Sequence, residues 1–156
     1  MIFARILQFL SFVALIALVR GDGATCQTST GSPWANDCKN ALNSIKDDIG
    51  TLGNEDCEVP NGMKSKCKTV RKSGSCKVDL CYTGGNGEGS VRRDHIVDIG
   101  NKLLSESNCG RYAMDGKKAG LKIGGYYTID NPRESFKDDP WCTAPKQSMK
   151  VQFSKG

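Results

Sequence analysis

Eight cysteines in a chain of 156 residues constrain the fold of this protein more than any other feature. All of them follow an almost unbroken apolar run from Ile6 to Val19. The run is too short to span a bilayer as a helix, which needs roughly 20 residues, and it ends in a small-residue pattern that fits a signal peptidase site before Asp22. We therefore expect a signal peptide at 1–21 and a single secreted, extracellular domain at 22–156.

An even number of cysteines in a small secreted chain predicts a disulfide framework. Up to four bridges are possible, and the sequence leaves their pairing open. The cysteines are Cys26, Cys38, Cys57, Cys67, Cys76, Cys81, Cys109 and Cys142. The bridges matter because only 7% of the residues are aromatic and 18 are glycine, so the chain has little material for a core. A zinc site is disfavoured because no second close cysteine pair or nearby histidine completes the C-x4-C pair Cys76 and Cys81. We expect neither a metal nor a cofactor.

Two amphipathic helices are predicted from apolar residues that recur every three or four positions. The first begins at Ser32-Pro33 and ends at Gly50, and its stripe is Trp34, Cys38, Leu42, Ile45 and Ile49. The second is capped by Ser90 and ends at 108–110, and its apolar positions are Ile96, Val97, Ile99, Leu103 and Leu104. Because Cys38 lies on the first stripe, we expect it to link that helix to the layer beneath.

Strands are predicted between and after the helices. Lys64–Val70 is a candidate edge strand, and Ser75–Thr83 places Cys76 and Cys81 on opposite faces. Gly120–Ile129 is predicted as one strand with Leu121, Ile123, Tyr127 and Ile129 pointing inward. The domain core is placed at about 26–132; the polar tail 133–156, anchored by Trp141 and Cys142, offers one last strand at Met149, Val151 and Phe153. These elements predict an α+β fold, a small disulfide-rich α/β sandwich with two helices on a mostly antiparallel sheet.

The net charge is mildly basic, at +5 for the whole chain. Arg5 and Arg20 lie in the predicted signal, which leaves +3 for 22–156 and gives no reason to expect a nucleic-acid partner. One basic stretch contains no acidic residue and is the candidate binding surface: Lys64, Lys66, Lys68, Arg71, Lys72 and Lys77. The alternative is an edge strand that uses lysines to stay soluble. Lys117, Lys118 and Lys122 form a second, weaker cluster.

Catalytic motifs are scarce. His95 is the only histidine, and no G-x-S-x-G motif is present. Asp94-His95-x-x-Asp98 is typical of a solvated helix face, and the glycine-rich segment 84–89 lacks the lysine of a phosphate-binding loop. We therefore expect a protein that binds rather than an enzyme. Two alternatives stay open: a small secreted hydrolase of the ribonuclease-like or glycan-active kind, using His95 with Glu88 or Asp98, and a cell-wall carbohydrate-binding module. The stacking platforms of that module would be Trp34, Trp141, Tyr126 and Tyr127.

Several short segments resemble secreted fungal toxins, namely the virus-encoded killer toxin of smut fungi with its cellular relatives and the necrosis-inducing effector domain of plant pathogens. The segments are Asn61-Gly62 before Cys67, Gly74-Ser75-Cys76 opening a strand, a helix ending at Asn108-Cys109-Gly110, the strand from Gly120 to Pro132, and Ser32-Pro33 with Asp37-Cys38. The resemblance implies an α/β sandwich that acts without catalysis, inhibiting or injuring a neighbouring or host cell. For the killer toxins the implied route is interference with calcium entry.

These features together predict a secreted, cysteine-rich toxin or effector that acts by binding. The expected partner is a target-cell or host component, with a membrane protein, an anionic surface or a cell-wall polymer as candidates. The protein is expected to be a monomer.

Overall fold

The computed structural model describes most of the chain that follows the apolar segment. The described residues are 22–49, 57–58, 67–82, 89–116, 118–137, 142 and 148–156. The predicted signal at 1–21 lies outside them, as do most of the predicted loop at 50–62 and most of the glycine-rich segment at 84–89. Lys64, Lys66, Glu88, Lys117 and Trp141 also lie outside the described residues.

The described elements alternate between strands and helices along the chain. The strands are β1 (Gly23–Cys26), β2 (Cys57–Glu58), β3 (Cys67–Ser73), β4 (Cys76–Tyr82), β5 (Val91–Arg92), β6 (Gly110–Asp115), β7 (Lys118–Ile123), β8 (Gly125–Ile129) and β9 (Met149–Lys155). The helices are α1 (Ala35–Asp47), α2 (Arg93–Ser105) and the single turn α3 (Pro132–Ser135).

One five-stranded sheet forms the centre of the fold, in the order β1-β8-β9-β4-β3. Every pairing in it is antiparallel. β6 and β7 form a separate two-stranded hairpin, and β2 pairs with β5. Because α1 and α2 pack on one face of the sheet and on each other, the predicted small, disulfide-rich α+β fold is confirmed.

The core lies between the two helices and the sheet. The buried helix residues include Leu42 and Ile45 from α1 and Ile96 and Leu103 from α2, so both predicted apolar stripes are confirmed within the helices. Trp34 and Ile49, which were assigned to the first stripe, lie outside α1. The sheet contributes alternate residues of its strands, which are Val78, Leu80 and Tyr82 of β4 and Met149, Val151 and Phe153 of β9. Burying these side chains supplies most of the free energy that favours folding.

All eight cysteines are paired in disulfides. The bridges are Cys26–Cys109, Cys38–Cys76, Cys57–Cys142 and Cys67–Cys81. Cys38–Cys76 ties α1 to the sheet, as expected for a cysteine on the buried stripe. Cys67–Cys81 joins two directly opposed residues of β3 and β4, on the opposite face from Cys76. The predicted placement of Cys76 and Cys81 on different faces is therefore confirmed.

Both helices begin later than predicted, because the residues before them are extended and hydrogen-bond elsewhere. Trp34 N donates to Ser75 Oγ at 2.9 Å, and Ile123 N donates to Pro33 O at 3.0 Å, so α1 begins at Ala35. Val91–Arg92 pairs with Cys57–Glu58, which delays the start of α2 to Arg93 instead of Ser90.

The predicted strand 120–129 is wrong as a single element, because it divides at Gly124 into β7 and β8. Gly125 has a φ of 138°, and a Cβ there would lie 2.2 Å from Thr25 O of β1. The chain changes direction at this glycine and enters the central sheet. Since β7 pairs with β6 outside that sheet, Leu121 is 47% exposed and does not point inward as predicted.

The C-terminal strand has a larger role than its predicted place in a polar tail. β9 lies between β4 and β8, so it is the middle strand of the five. Its buried residues extend the core beyond the range 26–132. At the other side of the sheet, β3 is an edge strand as predicted, although it runs over Cys67–Ser73.

Candidate functional site

The basic stretch does not form one surface in the described part of the chain. A β-bulge between Thr69 and Arg71 changes the register, so that Arg71 lies opposite Val78 on the helix-facing side of the sheet. There it forms an ion pair with Asp48 at the end of α1. Lys68 lies opposite Leu80 on the same side, whereas Lys72 and Lys77 oppose each other on the outer face. The four described residues of the candidate binding surface are therefore divided between two faces of the sheet.

The outer face of the central sheet carries Lys77 and Asp79. The side chain of Asp79 is hydrogen-bonded by neighbouring side chains on this face. Asp79 is only 7% exposed and accepts hydrogen bonds from Thr69 Oγ1 at 2.6 Å and Ser154 Oγ at 2.5 Å. Gln152 Nε2 donates to the same carboxylate at 3.4 Å. These contacts satisfy a buried carboxyl group and link β3, β4 and β9, which is a structural role.

Trp34 joins the β6–β7 hairpin to the rest of the molecule. Its indole lies against Gly120, where a Cβ would be 3.6 Å from the ring. Lys118 Nζ and Lys122 Nζ lie 5.0 Å and 4.6 Å from the ring, on either side of that glycine. Lys122 is buried, donates to Thr30 O and lies 3.7 Å from the Asp115 carboxylate. Two cation–π contacts and a buried lysine therefore fix the hairpin against α1.

Asp37 of α1 connects this cluster to the β3–β4 turn. Burial raises the pKa of its carboxyl, but hydrogen bonds from Ser75 Oγ and Ser75 N, at 2.6 Å and 2.8 Å, outweigh that effect. The ammonium of Lys118, 3.9 Å away, acts in the same direction as those hydrogen bonds, and the pKa of Asp37 lies below its ordinary value. The carboxylate is therefore ionised at neutral pH and holds the turn to the helix.

The β6–β7 hairpin presents an apolar face to solvent. Tyr112 and Met114 are 71% and 76% exposed, and both lie on one face of β6. Leu121 and Ala119, directly opposite them on β7, share that face and are also exposed. Tyr112, Met114 and Leu121 are the exposed large hydrophobic residues of the described chain, so its exposed apolar side chains are concentrated in one place.

The base of the hairpin is held rigidly. Gly110 follows Cys109, whose disulfide reaches Cys26 at the end of β1. The other strand ends at Ile123, bonded to Pro33 O, beside Gly124 N, which donates to Thr28 Oγ1 at 2.9 Å. A rigid base reduces the conformational entropy that a binding surface loses on contact. The hairpin is thus anchored at its base and exposes one apolar face.

His95 and Asp98 line one small pocket. Its volume is about 160 Å³, and Lys102, Tyr127, Ser135 and Phe136 also line it. The His95 ring stacks on Phe136 with centroids 4.3 Å apart and planes at 12°. The structure therefore brings together two of the residues considered for a hydrolase, while Glu88 lies outside the described residues.

The aromatic residues considered for carbohydrate stacking are already in contact with lysines. Trp34 is buried, and the ammonium groups of Lys118 and Lys122 both lie over its ring. Lys150 Nζ lies 4.4 Å from the Tyr126 ring, and Lys102 Nζ lies 5.7 Å from the Tyr127 ring. Trp141 lies outside the described residues. Trp34 is buried, and Tyr126 and Tyr127 are consecutive residues of β8 and point to opposite faces of the sheet, so these three described rings do not form one flat array.

No known protein family, curated protein or solved structure matches this chain. Within the described ranges, no helix is long and apolar enough to cross a membrane. Across the same residues, no group of three or more His, Cys, Asp or Glu side chains is arranged to hold a metal ion.

Sequence reasoning missed the apolar hairpin face, although a signal for it exists. Tyr112 and Met114 alternate with smaller or polar residues, and Asp115-Gly116 is a dipeptide typical of hairpin turns. The structure shows β6 paired with β7, and Gly116, which follows β6, has a φ of 60°. Lys118 and Lys122 of the weaker lysine cluster belong to this hairpin, whereas Lys117 lies outside the described residues.

Proposed function

We propose that this protein is a secreted toxin or effector that acts on target or host cells by binding, with the β6–β7 hairpin as its contact surface. The observation that carries the proposal is the exposed apolar face formed by Tyr112, Met114 and Leu121. Soluble domains rarely gather their exposed apolar side chains on one face unless that face binds something. Tyrosine and methionine are also enriched at protein contact surfaces.

The four disulfides support an extracellular place of action. Such bridges persist in oxidising compartments and are typical of secreted or extracellular proteins. The apolar segment Ile6–Val19 is proposed as the export signal that delivers the chain there. A cross-linked domain would keep its binding surface intact outside the cell.

The resemblance to fungal killer toxins and necrosis-inducing effectors supplies the proposed consequence of binding. In this proposal, contact through the hairpin leads to growth inhibition of a competing cell or to necrosis of host tissue. A hairpin that exposes apolar side chains on a rigid base suits a protein that must attach to a surface without a reaction step.

The test is a bioassay with the oxidised protein recovered from culture medium. It is added to fungal cells and infiltrated into leaves, beside the variant Tyr112→Thr/Met114→Thr/Leu121→Thr. Threonine suits an exposed strand, so the variant keeps the fold while removing the apolar face. The control, Lys72→Thr/Lys77→Thr, changes two residues on the outer face of the central sheet.

The proposal predicts inhibition or necrosis by the wild type and the control, and loss of at least about tenfold in potency for the hairpin variant, since three exposed apolar side chains are removed from the contact. Equal potency of all three proteins would remove the hairpin from the mechanism. No effect of the wild type on any target tested would count against the toxin proposal itself.

A hydrolytic function is the second candidate, because His95 and Asp98 line the same pocket. A histidine beside a carboxylate can act as a general acid or base. Incubation of the protein with RNA and with cell-wall glucan and chitin, followed by product analysis, tests this candidate. Cleavage by the wild type that disappears in His95→Ala would favour it, whereas activity unchanged in His95→Ala would exclude this pocket.

A further inference from the structure

The hairpin that carries the apolar face also has a positive net charge in the sequence. Between residues 110 and 123, the cations Arg111, Lys117, Lys118 and Lys122 stand against one acid, Asp115, which gives +3. Residues 22–156 also carry +3, since Arg5 and Arg20 account for the remaining +2 of the chain. The hairpin segment is therefore locally basic, as is the stretch from Lys64 to Lys77, which has six cations and no acid.

The two faces of the hairpin differ in chemistry. Tyr112, Met114 and Leu121 lie on one face, and the charged positions of both strands lie on the other. Lys122 and Asp115 pair with each other on that charged face. Lys118 remains 59% exposed although it lies 3.9 Å from Asp37, and Arg111 is exposed. The hairpin is an amphipathic ribbon with cations behind an apolar face.

We propose that this ribbon docks on the surface of a membrane that contains anionic phospholipids. This inference rests on the proposed function, in which the hairpin is the contact surface. The apolar face would enter the boundary between headgroups and acyl chains, as the apolar face of an interfacial helix does. Arg111 and Lys118 would then lie near the lipid phosphates, with their long side chains reaching the charged layer.

Charge complementarity favours an anionic membrane over a second copy of this chain. Two hairpins packed through their apolar faces would each bring a net charge of +3, and this like charge opposes association. An anionic membrane surface attracts the same charge, and each lysine or arginine near it strengthens binding by roughly fivefold. Loss of two of these cations should therefore weaken binding by about 30-fold at low salt.

The experiment is vesicle flotation with the oxidised, secreted protein. Vesicles of phosphatidylcholine alone are compared with vesicles that contain about 30% phosphatidylserine, at low and high salt, because screening weakens attraction between exposed charges. Arg111→Gln/Lys118→Gln is compared with Lys72→Gln/Lys77→Gln, and both variants leave a charge of +1 on residues 22–156. The triple threonine variant tests the apolar face.

The inference predicts binding to the anionic vesicles that weakens with salt and falls about 30-fold in Arg111→Gln/Lys118→Gln. The charge-matched control should keep most of its binding, and the triple threonine variant should lose binding at both salt concentrations. Equal losses in both charge variants would overturn the inference, since net charge and not the hairpin would then explain binding.

Other outcomes separate this inference from the proposed function. If the protein does not bind vesicles but its binding to target cells still depends on the hairpin, the partner is a protein or a glycan. In that case the membrane inference is wrong and the proposed function stands. If sedimentation shows self-association that the triple threonine variant abolishes, the hairpin binds a second copy, and the membrane inference is also wrong. If binding to target cells does not depend on the hairpin, the proposed contact surface itself is wrong.

Discussion

Replacement of Gly74 by alanine tests the link between the β3–β4 turn and helix α1. Gly74 has a φ of 52°, in the left-handed region that favours glycine. A Cβ at this position would lie 2.6 Å from Asp37 Cγ and 2.7 Å from Asp37 Oδ2. The carboxylate would have to move, and its hydrogen bonds with Ser75 would be lost or lengthened.

The expected cost of Gly74→Ala has two parts. The left-handed backbone accounts for about 1 kcal/mol. Disruption of hydrogen bonds to a charged group adds about 2 kcal/mol, which gives a total of about 3 kcal/mol. Gly116→Ala is a matched control, because Gly116 has a φ of 60° but nothing lies within 4 Å of its Cβ position. We expect that variant to lose about 1 kcal/mol only.

Urea unfolding at pH 7 with the disulfides intact measures both free energies of unfolding. Because the pKa of folded Asp37 is lowered, the stability that this carboxylate contributes is present above its unfolded pKa of about 3.9. That contribution is lost as the pH falls through the folded pKa. The difference in the free energy of unfolding between the two variants should therefore become smaller when unfolding is repeated near pH 3. The loss of unfolding free energy caused by Gly116→Ala should not change. Equal costs at pH 7, or a gap that widens in acid, would refute the reasoning.

Three further predictions concern the cross-links and the buried tyrosine. Peptide mass spectrometry of the secreted protein should recover Cys26–Cys109, Cys38–Cys76, Cys57–Cys142 and Cys67–Cys81, and any other pairing would contradict the fold. In urea unfolding, the double variant Cys38→Ala/Cys76→Ala should lower the free energy of unfolding by about 4 kcal/mol, and Cys67→Ala/Cys81→Ala should lower it by about 3 kcal/mol. The first loss is larger because its disulfide closes a segment of 38 residues, compared with 14 for the second. A larger loss for the second variant would argue against this account. Tyr82 Oη donates to Gly89 O at 2.7 Å, and burial raises the pKa of this tyrosine. Its contribution to the free energy of unfolding should therefore be fully present below about pH 10 and should be lost as the pH rises through the folded pKa. Tyr82→Phe should lack that alkaline loss, as followed by circular dichroism, and an unchanged alkaline transition would assign it to another group.

The sequence predicted those parts of the fold that periodic hydrophobicity controls. Leu42 and Ile45 recur at helical spacing and are buried. Cys76 and Cys81 are an odd number of positions apart in one strand and lie on opposite faces. Such patterns are local, since each follows from the repeat of a helix or strand. The cysteine pairing was left open because it depends on which distant elements meet.

The errors arose where tertiary contacts outweigh local pattern. Pro33 and Trp34 bond to Ile123 and Ser75 instead of beginning the helix. A remote contact also explains a feature that the sequence pattern did not address: the bulge after Thr69 places Arg71 on the helix-facing side, so the described residues of the basic stretch lie on two faces. Leu121 follows the alternation of an inward-facing residue, but its strand leaves the central sheet. Partners remote in sequence decided each of these cases.

Hydrogen exchange of the protein bound to membranes from target cells tests the central claim most directly, because it locates the contact without any substitution. We expect slower amide exchange on binding in peptides that cover the hairpin strands β6 and β7, with unchanged exchange in β3 and β4. Protection of β3 and β4 with an unaffected hairpin would contradict the account.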